Sequence, residues 1–114
     1  MSQYFHSLEF LACNPSCSIS QMNEDFLRQM DLLRAKCGFA LVVNCAYRSK
    51  AYDLSKGRSG KSFHTMGRAM DIRCNDSFQR AVIVRNALEL GLSVGVYSGF
   101  LHIDNRENQL CFVG

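Results

Sequence analysis

Apolar residues recur at helical spacing between Met22 and Cys37, where Phe26, Met30 and Leu33, with Leu27 beside them, make one stripe. Ser20 stands where an N-cap would, and Gly38 where a helix would stop. Glu24 and Asp25 fall in the first turn and Arg34 and Lys36 in the last, as the helix dipole favours. FALVVNCAY, Phe39 to Tyr47, is rich in β-branched and aromatic residues and predicts a buried strand. RAMDIRC, Arg68 to Cys74, alternates polar and apolar residues like a second strand. Asp76 or Ser77 opens a further helix that runs to Leu90 and closes at Gly91. VGVY and FLHID flank Ser98-Gly99, a hairpin turn, and LCFV adds a last strand.

Two stretches fit neither period. Tyr4 to Cys17 reads as irregular, with ACNPSC making a turn. RSKAYDLSKGRSGKS, Arg48 to Ser62, reads as a polar loop with Gly57 and Gly60 in it. A compact domain needs no loop so long for connection alone, so a functional loop is expected. The element order predicts an α+β domain: a mostly antiparallel sheet with two main helices against it.

Composition narrows this little. A chain of 114 residues with 47% hydrophobic and 20% charged residues is one soluble globular domain, taken as residues 1–114. No apolar run is long enough for a membrane span, and the N-terminal stretch lacks the pattern of a secretory signal. The six cysteines are therefore read as reduced thiols. Cys37, Cys45, Cys74 and Cys111 have apolar neighbours or lie in predicted strands, so they read as small buried hydrophobes. A net charge of +3 is mild, and no dense Lys/Arg face argues for nucleic acid.

The chemistry-bearing residues are few. Of three histidines, His6 lies in the irregular start. His102 shares a strand face with Phe100 and Asp104, while Leu101 and Ile103 face the core. His64 and Asp71 both sit in SFHTMGRAMDI. Two imidazoles and one carboxylate, with an open fourth position, are a ligand set for a catalytic zinc ion. Spacing alone does not bring them together; a solvated loop histidine and an aspartate paired to an arginine fit the residues too.

Four pieces, in order, resemble the zinc D-Ala-D-Ala carboxypeptidase family of peptidoglycan peptidases (peptidase M15), in its small catalytic-domain form from bacteria and phages. They are YFHSLEFLAC, AYRS, SFHTMGRAMDI and VGVYSGFLHIDNR. Ser62, His64, Gly67, Ala69 and Asp71 fill the family pattern Ser-x-His-x-x-Gly-x-Ala-x-Asp, and His102 with Asp104 fills the later histidine–acid pair. The resemblance implies the fold shared with the hedgehog signalling domain. It implies Zn²⁺ on His64, Asp71 and His102, with Gly67 and Ala69 leaving room for the backbone there. It implies that Arg48 holds the substrate carbonyl or carboxylate, and that Ser62 either orients a ligand or only shapes the turn. The implied substrate is the peptidoglycan stem peptide, the implied enzyme a monomer. The implied setting is a phage lysis enzyme or phage structural component, made in the cytoplasm and acting on the cell wall.

The chain departs from the family at the general base. Well-known members place a glutamate three residues before the last histidine ligand, where this chain has Gly99, and others a histidine five residues before, where it has Tyr97. Asp104 is the nearest acid and serves either as base or as a partner that orients His102. Tyr97 can donate a hydrogen bond to an oxyanion, but its phenol is a poor base at neutral pH. Cys13 and Cys17, with His6, raise an incomplete second metal site. Lys50, Lys56, Arg58, Lys61 and Arg68 make a basic loop that suits anionic wall polymers or simply water. A non-catalytic, zinc-stabilised module of the same fold is the competing reading.

Overall fold

A computed structural model describes residues 2–114. Among these are helices α1 (Ser7–Leu11), α2 (Glu24–Cys37), α3 (Lys50–Ser55) and α4 (Ser77–Glu89), and strands β1 (Val43–Cys45), β2 (Ala69–Arg73), β3 (Ser93–Val96), β4 (Phe100–Asp104) and β5 (Cys111–Val113). The strands form one sheet in the order β1-β2-β4-β3-β5. All neighbours are antiparallel except β3 and β5, which run parallel, so the sheet is mixed and the fold α+β. No described helix is long and apolar enough to cross a membrane.

The two main helices form for the reasons their sequences suggest. α4 is capped by Asp76, whose carboxylate accepts from the Gln79 N–H at 2.9 Å. α2 starts later than expected. Its cap is Asn23, which accepts from the Phe26 N–H at 2.9 Å, whereas Ser20 lies in a separate 3-10 turn, Ile19–Gln21, capped by Ser18. Phe26, Leu27, Met30 and Leu33 are all buried, and Gly38 ends the helix. They join Ile83 and Ala87 of α4 and Met70, Ile72, Val94, Leu101 and Ile103 of the sheet in one core. Complete burial of a side chain such as Leu101 or Phe26 contributes roughly 1.5–3 kcal/mol each.

Four expectations need correction. The strand expected over Phe39 to Tyr47 is only β1. It is an edge strand whose outer carbonyl, at Asn44, accepts from the Asn14 N–H instead of from another strand. Its register also slips between Val43, opposite Ile72, and Cys45, opposite Asp71. The polar stretch after Arg48 is not all loop. Ser49 accepts from the Tyr52 N–H and starts α3, and a 3-10 turn, Phe63–Met66, follows. The irregular start contains α1, whose Phe10 is wholly buried. Of the cysteines read as buried, Cys45 and Cys74 are, but Cys37 is partly open and Cys111, on the edge strand β5, faces solvent. All six are free thiols.

Gly67 is where the 3-10 turn meets the rest of the fold. It holds φ at 67°, its carbonyl accepts from the Asn23 N–H at 2.9 Å, and a Cβ there would collide with the Gln21 carbonyl oxygen. Left-handed strain and a backbone collision act together, so Gly67→Ala is expected to cost about 3 kcal/mol of stability. Chemical denaturation measures it; a loss within about 0.5 kcal/mol of zero would show that the turn shifts freely.

Candidate active site

The slip in β1 decides what faces the open side of the sheet. Two residues of β1 oppose one step of β2, so Val43 points into the core and Cys45 to the other face. From Cys45 a row of paired residues then crosses the sheet: Asp71 on β2, His102 on β4, Gly95 on β3 and Phe112 on β5. Gly95 has no side chain to fill its place in the row. A Cβ there would strike the Phe112 ring, which instead leans over to within 5.9 Å of the His102 ring, centre to centre.

His64 reaches this row from the turn that Gly67 holds. It is almost fully buried, and its Nδ1–H donates to the Ala46 carbonyl at 2.6 Å. Its Nε2 is thereby left facing Asp71 Oδ1 at 3.3 Å. His102 presents Nδ1 to the same oxygen at 3.1 Å, and its Nε2–H donates to Asp104 Oδ2 at 2.7 Å. The two rings meet edge to face, 5.2 Å apart. One carboxylate oxygen thus lies between two imidazole nitrogens, and each imidazole is anchored through its other nitrogen.

The charges follow from these contacts. Burial alone would raise the Asp71 carboxyl, but the imidazoles of His102 and His64 hold it well below the usual carboxylate range. Burial alone would lower the His102 imidazole, but Asp104 and Asp71 outweigh it and raise its pKa. Asp104 is fully buried and kept low by Arg106 and His102. Burial, then the Asp71 charge, pushes the Cys45 thiol up to about 12. Among the described residues, the donors within 4.8 Å of one another are those of Cys45, His64 and Asp71, and this group can hold a metal ion. His102 joins it through Asp71. Cys45 lies toward the His64 nitrogen already given to Ala46, with Sγ 3.9 Å from Nδ1.

A cleft of about 230 Å³ opens over this centre. Arg48, Ser62, His64, Asp71, Tyr97 and His102, all expected from the sequence, line it together. Asp104 lies behind His102 and is not in the lining, and neither is Gly99. Arg48 is buried, its backbone N–H donates to the His64 carbonyl, and its Nε has no hydrogen-bond partner. Tyr97 stacks on Phe100 at 4.4 Å, and Arg80 donates to the Tyr97 carbonyl at 2.7 Å, which steadies the turn that carries it.

Cys13 and Cys17 are buried in the core while His6 is exposed at the start of α1, so these three do not converge. Of the basic residues, Lys50, Lys56 and Lys61 are exposed away from the cleft lining, Arg58 enters it, and Arg68 is occupied with Asn105.

Some participants escaped the sequence reading. Asp53, on α3, is fully buried, accepts from the Ser62 hydroxyl and the Gly60 N–H at 3.0 Å each, and lies 3.4 Å from Arg48 Nε. The serine cap at Ser49 was the available signal for its helix. Arg106, Phe63 and Phe112 also line the cleft; Phe63 and Arg106 lie within the family-like stretches but fill no pattern position, and Phe112 lies outside them.

No protein with a curated description and no solved structure matches the chain significantly. A family model described as Peptidase M15 matches residues 4–104, nearly the whole chain and every residue of the histidine–aspartate centre. The protein therefore belongs to the peptidase M15 family, and is a peptidase.

Proposed function

We propose that the protein is a zinc-dependent metallopeptidase that hydrolyses peptidoglycan stem peptides, as a D-Ala-D-Ala carboxypeptidase or an endopeptidase of the phage lysis type. One observation carries the reading: a single Asp71 oxygen lies between His64 Nε2 and His102 Nδ1, and both far nitrogens are anchored, by Ala46 and by Asp104. Two imidazoles and a carboxylate suit Zn²⁺ and leave a coordination position free. The outer hydrogen bonds are those that orient metal-bound histidines. His102 is preferred to Cys45 as the third ligand, because Cys45 approaches the side of His64 already given to Ala46.

Bound there, zinc would supply Lewis acidity, both for an attacking water and for the scissile carbonyl. The chain's own groups do the rest. Arg48 offers a permanently charged guanidinium to the substrate carbonyl or carboxylate and stabilises negative charge as it develops. Ser62, steered by Asp53, orients the substrate beside it. Tyr97 borders the cleft and can donate to the same developing charge. Asp104 orients His102 and does not take the proton, since it is buried with both oxygens occupied. The partner is a stem peptide, met by a monomer at the cell wall, with no nucleic acid or membrane involved.

The test is to load the protein with zinc and incubate it with purified peptidoglycan and with a stem pentapeptide. Mass spectrometry should show loss of a terminal D-Ala or a cut within the stem, and a chelator should stop it. Among the described residues, the cleft lining contains no carboxylate other than Asp71. This observation favours the competing reading, a zinc-stabilised binding module. Stoichiometric zinc without any cleavage would establish that module instead.

A further inference from the structure

Asp104 is gripped on both oxygens by one residue. Arg106 donates from Nε to Oδ1 at 2.9 Å, from Nη2 to Oδ2 at 2.5 Å, and from its backbone N–H to Oδ1 at 3.1 Å. The guanidinium is itself held between two rings, 4.9 Å from the centre of Phe63 and 5.4 Å from that of Phe112. Phe63 belongs to the turn that carries His64, and Phe112 to β5. One side chain therefore ties together the turn of His64, the end of β4 and the far edge of the sheet. Phe112 lies beyond residues 4–104, so the family match does not account for it, and Arg106 falls just past that match, at the end of the VGVYSGFLHIDNR stretch.

We propose that Arg106 is a positioning residue for the metal centre: it acts through Asp104 to hold the His102 ring with Nδ1 turned toward Asp71. The proposal rests on the zinc reading above. An ordinary surface ion pair would not do this, because such pairs contribute little and fix nothing. Here the carboxylate has no exposure, so it needs its cation. That carboxylate is also the partner of His102 Nε2, so any looseness in it passes directly to the imidazole. The guanidinium's fork matches two carboxylate oxygens at once, which an ammonium cannot do.

Zinc affinity, measured by competition with a chromophoric chelator, tests the chain of contacts without reference to hydrolysis. Arg106→Gln should weaken zinc binding about 10- to 100-fold, the usual cost of losing an outer partner of a ligand. Arg106→Lys should fall between it and the wild type. Asp104→Ala should weaken binding comparably, and adding Arg106→Gln to it should then change affinity by less than about 2-fold, because the arginine has lost the group it acts through. The visible spectrum of the cobalt-loaded protein should change in the two Arg106 variants and not in Arg28→Gln, a remote control. Circular dichroism and metal-free melting temperature identify any variant that has simply failed to fold, and the lysine variant keeps the comparison available. Wild-type zinc affinity in both Arg106 variants, or full additivity in the double variant, would overturn the proposal. Failure of the wild type to bind zinc would instead remove the zinc reading, and the proposal with it.

Discussion

Asp71→Ala is expected to leave the protein unable to retain zinc and without measurable peptidase activity. Asp71 is the shared member of the centre: its Oδ1 is the atom that both His64 Nε2 and His102 Nδ1 approach. A zinc site in a small domain is worth roughly 10–16 kcal/mol spread over its ligands, so one ligand is worth about 3 kcal/mol, more than 100-fold in affinity. Among the described residues of the cleft lining, the carboxylate also carries the only formal negative charge, against Arg48, Arg58 and Arg106. Its removal leaves those cations to repel a divalent ion, so the loss should exceed the single-ligand figure. Metal analysis after dialysis reads the first effect and product analysis the second. Undiminished zinc in Asp71→Ala would end the assignment of the centre. A Cys45→Ser variant then completes the comparison: it should keep its zinc if His102 is the third ligand and lose it if Cys45 is.

Much of this centre was legible because its parts obey local rules. The stripe Phe26, Met30 and Leu33 marks α2, and the cap at Asp76 marks α4, in terms of neighbours a few residues apart. The alternation in FLHID separates Leu101 and Ile103 from His102, and the structure keeps that separation. What was hidden depends on contacts made across the fold. Ser20 reads as the cap from sequence, but it is taken up in a 3-10 turn, and Asn23 caps the helix instead. β1 is short because an edge strand with a slipped register cannot extend its ladder, whatever its β-branched content. α3 is too short for periodicity, and its Asp53 is buried by what it grips, Ser62, Gly60 and Arg48, not by any apolar pattern. Arg106 falls under the same heading, since its meaning comes from Asp104 behind it and from two rings distant in sequence.

Arg48→Lys should reduce kcat about 100- to 1000-fold while zinc content stays at the wild-type level, the usual cost of removing one preorganised donor to an oxyanion. The conservative variant is needed because Arg48 has two duties. Its Nε is 3.4 Å from Asp53, a carboxylate with no exposure, so Arg48→Ala would leave a buried charge without its cation and cost about 3 kcal/mol of stability. A lysine keeps the charge near Asp53 but loses the planar fork that reaches into the cleft. Its backbone N–H still donates to the His64 carbonyl, so the turn that bears His64 is not disturbed. The kinetics then separate two roles that geometry leaves joined. An arginine that grips a terminal carboxylate holds substrate and transition state alike, so its loss raises KM and spares kcat. An arginine that meets the developing oxyanion is felt only in the transition state, so its loss lowers kcat at constant KM. The place of Arg48 in the cleft lining, together with His64, Asp71 and His102, favours the second pattern. A rise in KM alone would make the enzyme a reader of free C-termini, whereas wild-type values of both constants would remove Arg48 from the reaction altogether.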